Sequence, residues 1–210
     1  MKRIPILTVT TASLSALLAG ASLGGFGVAD AAQYDRAALL RGEVWRLVTG
    51  HFVHWSFAHL AWDLLAFVIL GAVCERRRAL FASVILATAL IVSIFLFVCC
   101  PEVAMYRGLS AIDSALWMWA VFIIGERRVS LALTLLALFF AKLLIESAGA
   151  SLFVDGITVL PVVHLLGALV GFGGSVAEHK MTAHVALHRD RQRDRVRRRR
   201  DESAVVGGVV

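Results

Sequence analysis

Apolar positions along this chain gather into six long runs. Residues 4–29 carry no charge, 57–74 carry only Asp63, 79–100 none, 108–125 only Asp113, 129–145 only Lys142 and 156–177 none. Each run approaches the roughly 20 residues that a helix needs to cross a bilayer core. The runs are apolar all round and lack the period-2 alternation of barrel strands, so they read as helices with lipid on one side and protein on the other. The predicted fold is an all-α polytopic membrane bundle of six transmembrane helices, occupying 1–177, with a basic tail at 178–210. Lys2 and Arg3 ahead of the first run imitate a signal peptide, but the run outlasts a signal core and is read as an uncleaved helix. The long segment 30–56 contains Trp45, Phe52 and Trp55, rings suited to the headgroup region.

Composition agrees with the pattern. Hydrophobic residues make up 59% of the 210 residues and charged residues 17%, against about 25% charged in a soluble domain. A soluble globule, a disordered chain and a nucleic-acid binder with a basic face are excluded. The net charge of +6 arises largely in the tail, where arginines crowd between Arg189 and Arg200; such a segment suits anionic membrane lipid. Lys and Arg also set orientation. With a cytoplasmic N-terminus, Lys2, Arg3, Arg76 to Arg78, Arg127, Arg128 and the tail lie inside, and only Arg36, Arg41, Arg46 and Arg107 lie outside. Both termini are therefore expected in the cytoplasm. Cys74, Cys99 and Cys100 are too few for a disulfide framework or a zinc site. His184 and His188 share a helical face, but a solvated helix explains them without a metal.

Ionisable groups inside a span are costly and mark candidate sites. His59 and Asp63 lie four apart on the second span, on one face. Ser110 begins the fourth span and His164 lies near the start of the sixth. These three helices run in the same direction, so the groups share a depth near the outer surface. A serine hydroxyl becomes a nucleophile when histidine takes its proton. Gly167 and Gly171 form a small-residue face three residues beyond His164, and Ala111 and Ala115 form one beside Ser110; such faces let helices approach closely in lipid. The Ser110 N–H at a helix start, with His59, offers donors to an oxyanion. Asp113 reads as a partner of nearby polar groups, His54 as an interfacial packing residue, and Lys142 with Glu146 as an ion pair at the outer end of the fifth helix.

Three segments then resemble one family. WRLVTGHFVHWSFAHLAWDLLAFVILGAVCERR (45–77) resembles the first loop and second helix of rhomboid intramembrane serine proteases. YRGLSAIDSALW (106–117) resembles their serine motif and HLLGALVG (164–171) their histidine motif. The resemblance runs from about Trp45 to Gly174. It implies Ser110 as nucleophile, His164 as general base, Gly108 as the residue permitting tight entry to the serine helix, and His59 as an oxyanion donor, with no cofactor and no metal. Asp63 stands where most members have an oxyanion-binding asparagine, Ala111 where a glycine usually follows the serine, and Ser114 where many have an aromatic ring. The YRGLS and HLAWD forms and the minimal six-span length look most like the rhombosortase branch. That branch implies transmembrane substrates with a C-terminal GlyGly-CTERM signal (glycines, one helix, a basic end) and a bacterial inner-membrane location with the site facing the periplasm. The alternative is an inactive rhomboid-like protein that binds membrane clients. A transporter with midplane polar groups and internal repeats fits less well, since no repeat is visible.

Overall fold

A computed structural model describes residues 5–23, 27–75, 78–149 and 160–207. The chain is mostly helical. The helices are α1 (Ile6–Leu23), α2 (Val28–Ala32), α3 (Arg36–Leu40), α4 (Arg46–Thr49), α5 (Phe57–Cys74), α6 (Arg78–Cys99), α7 (Ser110–Gly125), α8 (Val129–Ser147) and α9 (Pro161–Gly207), with a 3-10 turn at Gly50–Phe52. Two short strands, β1 (Tyr34–Asp35) and β2 (Met105–Tyr106), pair antiparallel with Tyr34 opposite Tyr106. Among the described residues, four helical segments are long and apolar enough to cross a membrane: Phe57–Cys74, Leu80–Cys99, Val129–Ser147 and Pro161–His184, with mean hydropathies of 2.0, 2.7, 2.1 and 1.3. Ile6–Leu17 and Ser110–Gly125 are shorter apolar helices. The protein is a multi-pass integral membrane protein.

The first and last apolar runs depart most from their helices. The first run extends to residue 29, but α1 stops at Leu23, and Gly27, at φ 63°, precedes the separate helix α2. The last run starts at 156 and its helix at Pro161; residues 156–159 lie outside the described residues, as do Arg76 and Arg77. Proline suits a first helical position because the N–H it lacks has no intrahelical partner there.

Two compact units divide the chain, Met1–Gly174 and Ser175–Val210. In the first, α7 is central. Ten of its residues are buried, from Ala111 to Val121, and it contributes to all three apolar clusters. One joins Phe67, Phe81, Leu116 and Trp119, another Tyr34, Val92, Leu96, Ala111 and Val163, and the third Met118, Phe139 and Ala168. Small residues explain its position: alanines at 111, 115 and 120 let neighbours close in. By contrast, α8 displays Leu133, Leu138, Phe140 and Leu144 outward, as a lipid-facing helix does. At the far end of α5 the Glu75 carboxylate accepts from Leu7 N–H, Thr8 N–H and Thr8 Oγ1 at 2.7–2.8 Å. An anion at the positive end of α1 is favourable there. In the second unit, His179, His184 and His188 are exposed on a helix.

The segment between α1 and α5 is folded rather than extended, and it grips the approach to α7. Besides the β1–β2 pair, Gly108 N–H donates to the Gly50 carbonyl (3.2 Å). Arg107 bonds Asp30 Oδ1 (2.6 Å) and Gln33 Oε1 (2.8 Å) and lies over the Trp55 ring, 4.4 Å from its centroid. Buried Arg46 donates to Glu43, to the Asp30 carbonyl and to the Gln33 carbonyl. Charged donors to carboxylates and carbonyls are the stronger hydrogen bonds, so this loop is a built platform.

Candidate active site

Ser110 is the first residue of α7. Its N–H, like those of the next residues, has no carbonyl one turn back to bond. Gly108 precedes it at φ 124°, which a side chain rarely tolerates. A Cβ at Gly108 would also lie 2.8 Å from His59 Cε1 and 3.2 Å from Asp63 Oδ2. Glycine is therefore needed twice over, for the turn and for the approach of α5.

Asp63 fastens that approach. Its Oδ2 accepts from Leu109 N–H (2.9 Å) and from His54 Nε2 (3.2 Å), and His59 Nε2 lies 3.4 Å away. A buried carboxylate needs donors, and two hydrogen bonds converge on one oxygen with the His59 ring beside them. His54 is thus buried and hydrogen-bonded to Asp63, rather than packed at an interface, and its ring meets that of His59 edge-on at 5.1 Å. Ser56 caps α5 by accepting from His59 N–H (3.1 Å), which fixes the first turn that carries His59.

The histidine helix meets the serine helix backbone to backbone. A Cβ at Gly167 would stand 2.0 Å from the Ala111 carbonyl oxygen, and one at Gly171 would stand 2.0 Å from that of Ala115. His164 lies one turn before Gly167 and is buried. It is close enough to His59 for their charges to interact. Its Nδ1 is 2.7 Å from Glu146 Oε2 and 3.1 Å from Lys142 Nζ. Lys142 also pairs with Glu146 Oε1.

Ser110 and His164 share no hydrogen bond. The Ser110 hydroxyl lies instead against the phenol of Tyr106, which donates to the Gly108 carbonyl (3.3 Å). Burial pushes the Tyr106 phenol above its ordinary range, so it stays a neutral donor. Ser114 Oγ donates to the Ser110 carbonyl (2.8 Å). Asp113 is buried, and among the described residues its Oδ1 has no hydrogen-bond partner, unlike the paired carboxylate expected of it. No group of three His, Cys, Asp or Glu side chains among the described residues is placed to hold a metal ion.

The residues brought together are therefore Ser110, Gly108, His59, Asp63 and His164, with Gly167 and Gly171 at the helix contact. Sequence reasoning missed three others: Tyr106 beside the serine, His54 on Asp63, and Glu146 on His164. Glu146 left a signal. It lies in the last turn of α8, where the helix dipole disfavours an anion, and Lys142 precedes it in the weaker i,i+4 order.

No curated protein matches the chain. The family model described as the Rhomboid domain matches residues 41–180, from the folded loop through the serine and histidine helices. The chain therefore belongs to the rhomboid family, whose members are in general serine intramembrane proteases.

Proposed function

We propose that this protein is an intramembrane serine endopeptidase with Ser110 as nucleophile and His164 as general base. One observation carries the reading: α9 seats on α7 through Gly167 at Ala111, the residue after Ser110, with His164 one turn away. In the reaction the Ser110 hydroxyl leaves Tyr106 and attacks the scissile carbonyl carbon while its proton passes to His164 Nε2. The resulting oxyanion takes hydrogen bonds from the Ser110 N–H and His59. When the C–N bond breaks, His164 returns the proton to the departing amine. Water, deprotonated by His164, then opens the acyl-enzyme ester and frees Ser110. Asp63 serves here as an acceptor that holds Leu109 and His54.

The substrate is a membrane-anchored protein. Its peptide must be extended to reach Ser110, and glycines lower the cost of unwinding its helix, since they favour helix least after proline. The forms of the serine and second-helix motifs favour the rhombosortase branch and an exported client with a GlyGly-CTERM tail. In this reading six helices span the inner membrane within 1–177, the tail 178–210 is cytoplasmic, and the site faces the periplasm. The second reading, an inactive member that binds clients, draws on the absence of a Ser110–His164 hydrogen bond. Loose catalytic hydrogen bonds are common before substrate binds.

A fluorophosphonate probe on the purified full-length protein separates the two. Labelling is expected in the wild type and lost in Ser110→Ala and His164→Ala, and both variants should fail to cleave a GlyGly-tailed reporter. Equal labelling of wild type and Ser110→Ala would remove the protease reading.

A further inference from the structure

We infer that Glu146 is the third member of a Ser110–His164–Glu146 triad, a positioning residue that holds and charges the catalytic imidazole from α8. The inference rests on the protease reading above and adds a residue to it.

Two side chains of α8 meet the imidazole at the same nitrogen, the carboxylate more closely. Glu146 Oε2 lies 2.7 Å from His164 Nδ1, and both side chains are about 95% buried. A bare Nδ1 lone pair facing a carboxylate oxygen at that range would be repelled. In the proposed triad Nδ1 carries the proton and donates it to Glu146, the nearer of its two neighbours (Lys142 Nζ lies at 3.1 Å), which leaves Nε2 as the lone pair that a base requires. The same carboxylate stabilises the imidazolium formed when Ser110 loses its proton. No proton moves to Glu146 in this scheme.

Local helix energetics do not account for the residue. A carboxylate in the last turn of α8 opposes the helix dipole, and its pairing with Lys142 runs in the less favourable order. Ionisable groups within a span are costly unless they are used. Lys142, whose Nζ is 3.1 Å from His164 Nδ1, neutralises Glu146 and opposes positive charge on the ring. Among the described residues, the charged or titratable groups facing His164 are Glu146 and Lys142 from α8 and His59 from α5, with Asp113 of α7 acting on Lys142.

The two α8 residues therefore pull the imidazole in opposite directions, and this separates a triad from a structural tie. The test is the pH dependence of the fluorophosphonate labelling rate of Ser110 in the full-length protein. In Glu146→Gln the rate should fall by on the order of 10²–10⁴-fold, and the acid limb should move to lower pH. In Lys142→Gln the loss should be far smaller and the limb should move to higher pH. Glu146→Asp should recover part of the rate. A low-field Nδ1 proton resonance of His164 should be present in the wild type and in Ser110→Ala and absent in Glu146→Gln. If Glu146 only ties α8 to α9, both Gln variants lower thermal stability alike with the limb unmoved, and the triad is overturned. The triad alone also falls if Ser110→Ala is dead while Glu146→Gln labels within about twofold of wild type. Undiminished labelling in Ser110→Ala would instead bring down the protease reading beneath it.

Discussion

At the scale of single residues, buried polar groups tie the stability of this fold to pH. His51 shows the consequence for pH. It lies in the 3-10 turn before α5, wholly buried, with Nε2 at 3.1 Å from both the Ala89 carbonyl and Ser93 Oγ. Burial pushes its pKa down to about 4, with the Ala89 carbonyl only partly resisting. In the unfolded chain the same imidazole titrates near 6.5. Between those values the unfolded state binds a proton that the native state refuses. Stability is therefore full above about pH 6.5 and is lost as pH falls toward 4, by up to about 3 kcal/mol from this one group. His51→Gln keeps a donor for Ala89 without a titrating ring. It should be less stable than wild type at pH 7, and the gap in melting temperature should narrow by pH 4.5. A gap that stays constant over that range would contradict the buried neutral ring.

Among the elements, the contact of α7 with α9 is the least forgiving. Gly167 and Gly171 meet the Ala111 and Ala115 carbonyls so closely that a Cβ at either would reach 2.0 Å. Backbone has to move before any side chain fits, and overpacking of this kind costs about 1–3 kcal/mol or more. Gly167→Ala and Gly171→Ala should each lower the melting temperature markedly and suppress Ser110 labelling. Gly173→Ala, where nothing lies within 4 Å, should change neither. Equal tolerance at all three positions would mean that the helices stand further apart. This contact was legible in advance because a four-residue spacing of glycines in an apolar run has few other uses. The bounds of α5 were legible for a similar reason: the run at 57–74 matches it residue for residue. What sequence did not disclose is everything fixed by distant partners. Arg107 finds Asp30 across 77 residues, and Tyr34 pairs with Tyr106 in a two-residue ladder too short to leave a pattern. Glu146 was hidden differently. Its place in the last turn of α8 hints that the lysine is not its whole purpose, but nothing along the chain names a histidine 18 residues on as the second partner.

For the molecule as a whole, the choice of client depends on which side of the membrane holds the start of α7. Arginine placement is the only sequence feature that addresses this. Arg127 and Arg128 lie between α7 and α8, Arg76 and Arg77 fall in sequence between α5 and α6, and Arg78 opens α6, whereas the α6–α7 connection carries Arg107 alone. Arg107 is neutralised by Asp30 and covered by Trp55, so it weighs little as a retained cytoplasmic charge. The α6–α7 connection should therefore be periplasmic. Alkaline phosphatase fused after Glu102 should be active, and the same enzyme fused after Arg127 should be inactive. A fluorescent protein that matures only in the cytoplasm should glow when fused after Val210. The reverse pattern would put Ser110 at the cytoplasmic end of its helix. Exported GlyGly-tailed proteins would then be out of reach, while the hydroxyl, imidazole and carboxylate could still serve a client entering from inside. The topology experiment thus tests the choice of client separately from the chemistry.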